Sequence, residues 1–376
     1  MIYLDNAATS SPKPNSVATA VSGAIRNYSA NPGRAGHKAA QSALDAVYSA
    51  RQAAAEFFNA PTAENAVFTP NCTTALNIAI QGTLSNTDHA IISPFEHNAV
   101  VRPLYALGLS YDVAEFSSDA EKMLENFHRL IRPNTKAIIC THASNVFGIK
   151  MPIEALGELC KKYGLKFIVD AAQTAGIFPI DVQEMGISTL CIAAHKGLYA
   201  PVGAGLMITD ATPKPLIFGG TGGDSLSPML PDYPPEKFEA GTVNIPTIVG
   251  IHEGIKFVKR NGENMRKKEM RQILHAEQTL SKMPSVTVYT DRKNADFAPV
   301  LSFNVNGMHS VDVAKMLDRH GICVRAGLHC APLAHKTMGT LDTGTVRAAV
   351  SAFTKDNEID YFLQTVKKIS KQTGGA

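Results

Sequence analysis

The sequence has little net charge, no paired cysteines and no long apolar run, and each shortage removes a class of function. Its 36 Lys and Arg stand against 33 Asp and Glu, a net charge of +3 over 376 residues. That is too small for nucleic-acid binding to be the main task, although a small anionic ligand stays compatible with it. The six cysteines, at positions 72, 140, 160, 191, 323 and 330, form no CxxC pair and no Cys/His cluster with zinc-ligand spacing. They fit a reducing compartment and mostly buried, inert thiols. No apolar run approaches the roughly 20 residues that span a bilayer. The first residues, Met1 to Asn6, lack the basic flank and apolar core of a signal peptide. The expectation is a soluble cytoplasmic protein with neither a membrane nor a nucleic acid as partner.

What is present is an ordinary globular balance, 45% hydrophobic and 18% charged, over a length that suits two domains. From about residue 66, short apolar runs of β type alternate with amphipathic helical stretches. Residues 66–69, 90–93, 136–141, 166–170 and 189–192 read as strands, and 73–81 and 153–163 as helices. In the second helix Ile153, Leu156, Leu159 and Cys160 share a face, and Gly164 stands just past the end. The strands lack strict alternation, which is what a parallel sheet covered on both faces requires. This predicts an α/β domain with a mainly parallel sheet. After about Asn244 the texture changes to a long charged helix over 248–283, strands at 286–289 and 300–305, and helices at 311–319 and 357–371. The expected division is an N-terminal segment 1–15 near the active site or against the small domain, a large domain 16–250, and a smaller α+β domain 251–376.

In open α/β sheets, ligands gather at the carboxyl ends of the strands. Asp170 ends one such strand, in Asp170-Ala171-Ala172-Gln173; a carboxylate there either caps a turn or reaches into the crevice. Lys196 follows the next strand, in His195-Lys196-Gly197, ahead of a stretch containing Gly and Pro. A lone lysine is ordinarily a solvated surface charge. Emerging at the same sheet edge as Asp170, it becomes informative.

At these residues the sequence resembles the class V aminotransferase group of fold-type I pyridoxal-phosphate (PLP) enzymes, particularly cysteine desulfurases and selenocysteine lyases. The resemblance runs nearly end to end. It begins at Tyr3-Leu4-Asp5-Asn6-Ala7-Ala8-Thr9 and includes Asp170-Ala171-Ala172-Gln173 and His195-Lys196. It continues through Phe238-Glu239-Ala240-Gly241-Thr242 and Arg325-Ala326-Gly327-Leu328-His329-Cys330, and closes at Arg347. It implies a large domain around a mainly parallel seven-stranded sheet, with a smaller C-terminal α+β domain carrying a catalytic cysteine.

By that resemblance Lys196 carries PLP as a Schiff base and Asp170 holds its pyridine nitrogen protonated, which lets the ring act as an electron sink. Gln173 donates to the cofactor's phenolic oxygen, and Asn145 touches the same region and the substrate. His97 stacks on the ring and exchanges protons, a task suited to its near-neutral pKa. The phosphate falls to Thr73, Thr74 and His195. Thr73 and Thr74 open a predicted helix whose N-terminus favours an anion, although either could simply cap it. Thr242 resembles a threonine that reaches a phosphate across a subunit interface, which implies a homodimer with shared sites. Ala193 departs from the pattern, because many relatives place a phosphate-binding serine there.

Arg347 resembles the arginine that clamps a substrate carboxylate with its bidentate fork; Arg325 is either structural or part of the site. Cys330 sets the reaction class. Its thiolate, favoured by a nearby His329 or Arg325, would take sulfur from L-cysteine as a persulfide and leave L-alanine. Cys72 is a secondary candidate. The implied partners are an amino-acid substrate and a sulfur-acceptor protein. L-Selenocysteine, a different class V reaction on another amino acid, and a non-catalytic PLP-binding sulfur relay are the alternatives.

Overall fold

The computed structural model describes residues 1–34, 36–210, 212–222, 226–289 and 297–372. The first half runs β1 (Ile2–Tyr3), α1 (Asn15–Asn27), α2 (Lys38–Phe57), β2 (Ala66–Thr69), α3 (Cys72–Thr83), β3 (His89–Ile92), α4 (Asn98–Ala106) and β4 (Ser110–Val113). Next come α5 (Ala120–His128), β5 (Thr135–Thr141), α6 (Ile153–Tyr163), β6 (Lys166–Asp170), β7 (Thr189–Ile192) and β8 (Gly205–Thr209). The long α7 (Ile245–Leu280) leads to β9 (Val286–Val288), β10 (Val300–Val305), α8 (Ser310–Arg319), β11 (Ile322–Cys323) and β12 (Arg325–Gly327). The chain closes with α9 (Pro332–Thr337), β13 (Thr345–Ala349) and α10 (Asp356–Ser370).

Seven strands form one sheet in the order β2-β8-β7-β6-β5-β3-β4. The five from β7 to β4 are parallel neighbours, and β8 runs antiparallel to both β2 and β7. The apolar runs hide a period of two. Ile138 and Cys140 of β5 and Phe167 and Val169 of β6 join one core. Ala137, Ile139 and Ile168 between them join a second core on the opposite face. Because both faces are covered, both sets of side chains are apolar, which erases the alternation from the sequence. Periodicity therefore reveals the central strands but not β4, an edge strand with exposed and half-buried residues, nor β8, which follows directly on the Gly- and Pro-containing stretch.

A second sheet of four antiparallel strands, β12-β13-β10-β9, holds Arg325 and Arg347 opposite one another on adjacent strands. The chain's start is stitched to it: β1 pairs in parallel with β11, and Asp5 bridges Ala349. Helix α7 ties the two sheets together over 36 residues. Asn244 caps it, accepting from Thr247 N at 3.2 Å. Its first half packs on α1 and α2, while Ile273, Ala276 and Leu280 pack under the second sheet with Leu301 and Phe303. Gly254 lets α7 approach the turn after Lys196, since a Cβ there would lie 1.9 Å from the Leu198 carbonyl oxygen.

Candidate active site

Asp170 is the last residue of β6 and lies between Thr141 of β5 and Cys191 of β7, at the carboxyl edge of the parallel strands. Only 4% of it is exposed. One carboxylate oxygen, Oδ1, accepts from Ala172 N at 2.9 Å and from the Cys72 thiol at 3.6 Å. Burial pushes the Cys72 thiol well above its ordinary pKa, so it stays a protonated donor behind Asp170 and not a nucleophile.

Lys196 follows β7 in a tight turn, where its N–H donates to Ala193 O and its carbonyl accepts from Tyr199 N. Its amine has no hydrogen-bond partner among the described residues. Desolvation pulls its pKa below the ordinary lysine value, against the opposing pull of Asp170. An amine so placed loses its proton more readily and becomes a better nucleophile.

Lys196 and Asp170 share a solvent-open cleft of ≈ 530 Å³ with Thr73, His97, Asn145, Gln173, Ala193 and His195. Gln173 donates to Ala7 O at 3.0 Å. His97 is the N-cap of α4, and its Nδ1 accepts from Ala99 N at 3.0 Å. The neutral ring therefore carries its proton on Nε2, and burial holds its pKa below the usual histidine value. His195 has its pKa pulled down to about 4 by burial, with Lys196 and Lys13 adding to the shift. Its Nδ1 meets Thr9 Oγ1 at 3.0 Å, and its carbonyl accepts from Lys13 Nζ at 2.6 Å and Ser10 Oγ at 3.2 Å.

Other expected residues stand apart from this cleft. The N-cap of α3 is Asn71, which accepts from Thr74 N at 2.8 Å. Thr74 Oγ1 turns to the same Asn71 oxygen, 3.1 Å away, and only Thr73 lines the cleft. Thr242 is exposed, 3.5 Å from Asn31 Nδ2, and lines a separate cleft with Gly33, Arg51 and Glu239.

Arg347, on β13, is 2% exposed. Its Nη1 donates to Asn145 O at 2.9 Å and its Nη2 to Asp5 Oδ1 at 2.8 Å. Asn145 Nδ2 donates to His329 O at 2.8 Å. Three buried polar atoms in this chain of contacts have no partner among the described residues: Arg347 Nε, Asn145 Oδ1 and His329 Nδ1. Buried polar atoms are rarely left so in a folded protein. His329 Nε2 donates to Thr345 O at 3.1 Å, and burial drives its pKa down to about 2. His329 is therefore neutral, which leaves Arg325, exposed on β12, as the cation near Cys330 in the chain. Cys330 is itself exposed and does not line the cleft. Both His329 (φ 49) and Cys330 (φ 56) occupy the left-handed region, which is costly for residues with a Cβ and clusters at functional sites. The Cys330 carbonyl accepts from Asn98 N at 2.7 Å, so this strained pair is moored beside His97.

The family model for class V aminotransferases matches residues 2–362. The chain belongs to the class V aminotransferase family. A probable cysteine desulfurase of Pyrococcus abyssi is 33% identical over 99% of this chain and 94% of its own length. Another from Mycolicibacterium paratuberculosis is 34% identical across the whole chain, which spans 56% of that longer protein. Among solved structures, an apo cysteine desulfurase from Thermococcus onnurineus superposes with a TM-score of 0.87 at 32% identity, covering 99% of this chain and 95% of that one.

In this member of the class V aminotransferase family the N-terminal segment supplies more than sequence reasoning assigns to it. Asp5, Ala7, Thr9, Ser10 and Lys13 all bond to residues of the site. The only signal for them is their place in or just after the Tyr3 to Thr9 motif. The family implies PLP as cofactor, and the cleft offers it an unpartnered amine, a carboxylate with one oxygen uncommitted, and the N-terminus of α3. No helix among the described residues is long and apolar enough to cross a membrane.

Proposed function

We propose that this chain is a PLP-dependent cysteine desulfurase that converts L-cysteine to L-alanine and keeps the sulfur as a persulfide on Cys330. The observation that carries the reading is the exposed Cys330 thiol, held in a left-handed pair with His329 and moored at the start of α4 beside His97. The names of the relatives point the same way.

The residues present fit the cofactor. Lys196 would hold its aldehyde carbon and Asp170 its ring nitrogen; Gln173 and Asn145 would meet its phenolic oxygen. Thr73, His195 and the free amides at the start of α3 would face the phosphate. When bound, PLP supplies an electron sink for the charge left when a bond at the substrate's α-carbon breaks.

The chain's own groups then divide the remaining work. Arg347 Nε and Asn145 Oδ1, buried and unpartnered, suit the substrate α-carboxylate and amine. Lys196, its pKa lowered by burial, takes and returns the proton at the α-carbon. His97, protonated on Nε2, is poised to donate. The Cys330 thiolate attacks the substrate sulfur; the bond from carbon to sulfur breaks with its electron pair on carbon, which takes a proton to give alanine. A sulfur-acceptor protein then removes the persulfide sulfur.

The reading includes a homodimer in the cytoplasm, with Thr242 serving the neighbouring subunit's phosphate. Its support is that Thr242 lines a cleft separate from that of Lys196. In the same stretch Phe218 is 74% and Leu226 97% exposed, apolar side chains available for a neighbouring subunit to cover. The division into segments 1–15, 16–250 and 251–376 belongs to the same proposal, with α7 crossing the last junction unbroken.

The test measures alanine and sulfide released from L-cysteine in dithiothreitol, for the unaltered protein and for Cys330→Ala, with L-selenocysteine run alongside. Loss of cysteine turnover in Cys330→Ala is the expected result. Equal alanine release by both proteins would refute Cys330 as acceptor. Faster turnover of selenocysteine with Cys330 dispensable would favour the lyase.

A further inference from the structure

Arg347 reaches the site already engaged. Its Nη2 donates to Asp5 Oδ1 at 2.8 Å, an ion pair whose side chains are 2% and 22% exposed. Asp5 has little freedom to leave. Its backbone bridges Ala349, Leu4 O accepts from Ala349 N at 2.7 Å, and Asn6 Nδ2 donates to Ala349 O at 2.9 Å. Ala349 lies on the same strand as Arg347, so the carboxylate and the guanidinium are held by one rigid unit. The guanidinium still has donors to offer, since Nε is buried and unpartnered and an arginine presents five N–H groups.

The charges around this point do not balance. Two guanidiniums, Arg325 and Arg347, stand against the one carboxylate of Asp5, and Arg325 is directly opposite Arg347 across the strand pair. Without Asp5, Arg347 would meet an incoming carboxylate as an unpaired buried cation with a second arginine opposite it on the adjacent strand. Such a site binds anions strongly. With Asp5 in place, a substrate carboxylate shares a guanidinium that is already neutralised.

We propose that Asp5 is a positioning residue that holds Arg347 in place and keeps its grip on carboxylates weak, so that substrate binds and the amino-acid product leaves. This rests on reading Arg347 as the carboxylate clamp. The physical logic is that a clamp on a carboxylate common to substrate and product binds both equally. Added strength there slows release without helping the chemical step.

The experiment uses the cofactor-loaded protein and two probes. L-Alanine binding is followed through the cofactor's absorbance, and propionate, which has the carboxylate but no amine, by calorimetry. Asp5→Asn is expected to bind both at least about threefold more tightly, the scale of a weakened ion pair. KM for the amino-acid substrate falls and kcat does not rise. Asp5→Glu restores most of the original weakness. A merely structural role would loosen binding instead, and unchanged or weaker affinity in Asp5→Asn overturns the proposal. Asp5→Ser replaces it if that variant does not fold. Arg347→Gln separates the two readings: if it abolishes propionate binding while Asp5→Asn changes nothing, the clamp stands and Asp5 is dismissed. If Arg347→Gln binds propionate as before, the clamp falls and this inference with it.

Discussion

Replacing Glu239 by Gln tests whether the segment leading to Thr242 is held by a buried charge pair. Arg51 Nη1 and Nη2 donate to Glu239 Oε1 and Oε2, both at 2.8 Å, with side chains only 6% and 8% exposed. Arg51 also donates to Ala66 O and lies over the Phe68 ring, 4.8 Å from its centroid, and Glu239 Oε1 accepts from Phe68 N at 2.7 Å. Gln keeps an oxygen for Phe68 N and for one guanidinium N–H. It loses the charge and one of the two charge-assisted bonds. An exposed pair treated this way costs about 0–1 kcal/mol, whereas stranding a buried charge costs about 3–5 kcal/mol. Given this burial, the expected loss is about 3 kcal/mol in urea unfolding followed by circular dichroism. Arg51→Met should cost a similar amount. The double variant should lose much less than the sum, because neither charge is left behind. A loss under about 1 kcal/mol for Glu239→Gln, or additive losses in the double variant, would refute the reasoning.

Burial raises Glu96 and Glu269 to about 8, so each keeps its proton in the folded protein over a range where the unfolded chain has released it. The stability this provides is fully present below about pH 4.5 and is lost as pH rises to about 8. The slope is about 1.4 kcal/mol per pH unit for each group. Glu269→Gln should flatten the curve of unfolding free energy between those limits, and an unchanged slope would count against it. Gly254→Ala would drive a methyl group to 1.9 Å from Leu198 O. It should cost about 1–3 kcal/mol or more and weaken cofactor retention through the turn holding Lys196. Normal stability and absorbance in that variant would show that α7 yields.

Local signals made much of this architecture legible. The helix 153–163 and the strands 66–69, 166–170, 189–192 and 300–305 fall on the residues that spacing indicates, and Gly164 ends α6 in the left-handed conformation at φ 65. Asp170 and Lys196 can be placed at one sheet edge because one ends and the other follows a strand that announces itself. Residues whose partners lie far along the chain could not be read this way. Thr73 and Thr74 look equivalent, yet Asn71 claims one of them. His329 looks like a source of positive charge beside Cys330, yet its Nε2 is spent on Thr345 O.

Hydrophobic pattern and turn residues along the chain thus determined the alternation of elements, and with it the edge where a carboxylate and a lysine could meet. Only the tertiary structure decided what those groups touch. The pairing of Arg347 with Asp5 joins residues 342 positions apart, and Cys330 is moored to the start of α4 by one backbone bond. Burial and hydrogen bonding, which shift the protonation of Lys196, His97 and His195, depend on neighbours that folding brings together and the linear order does not.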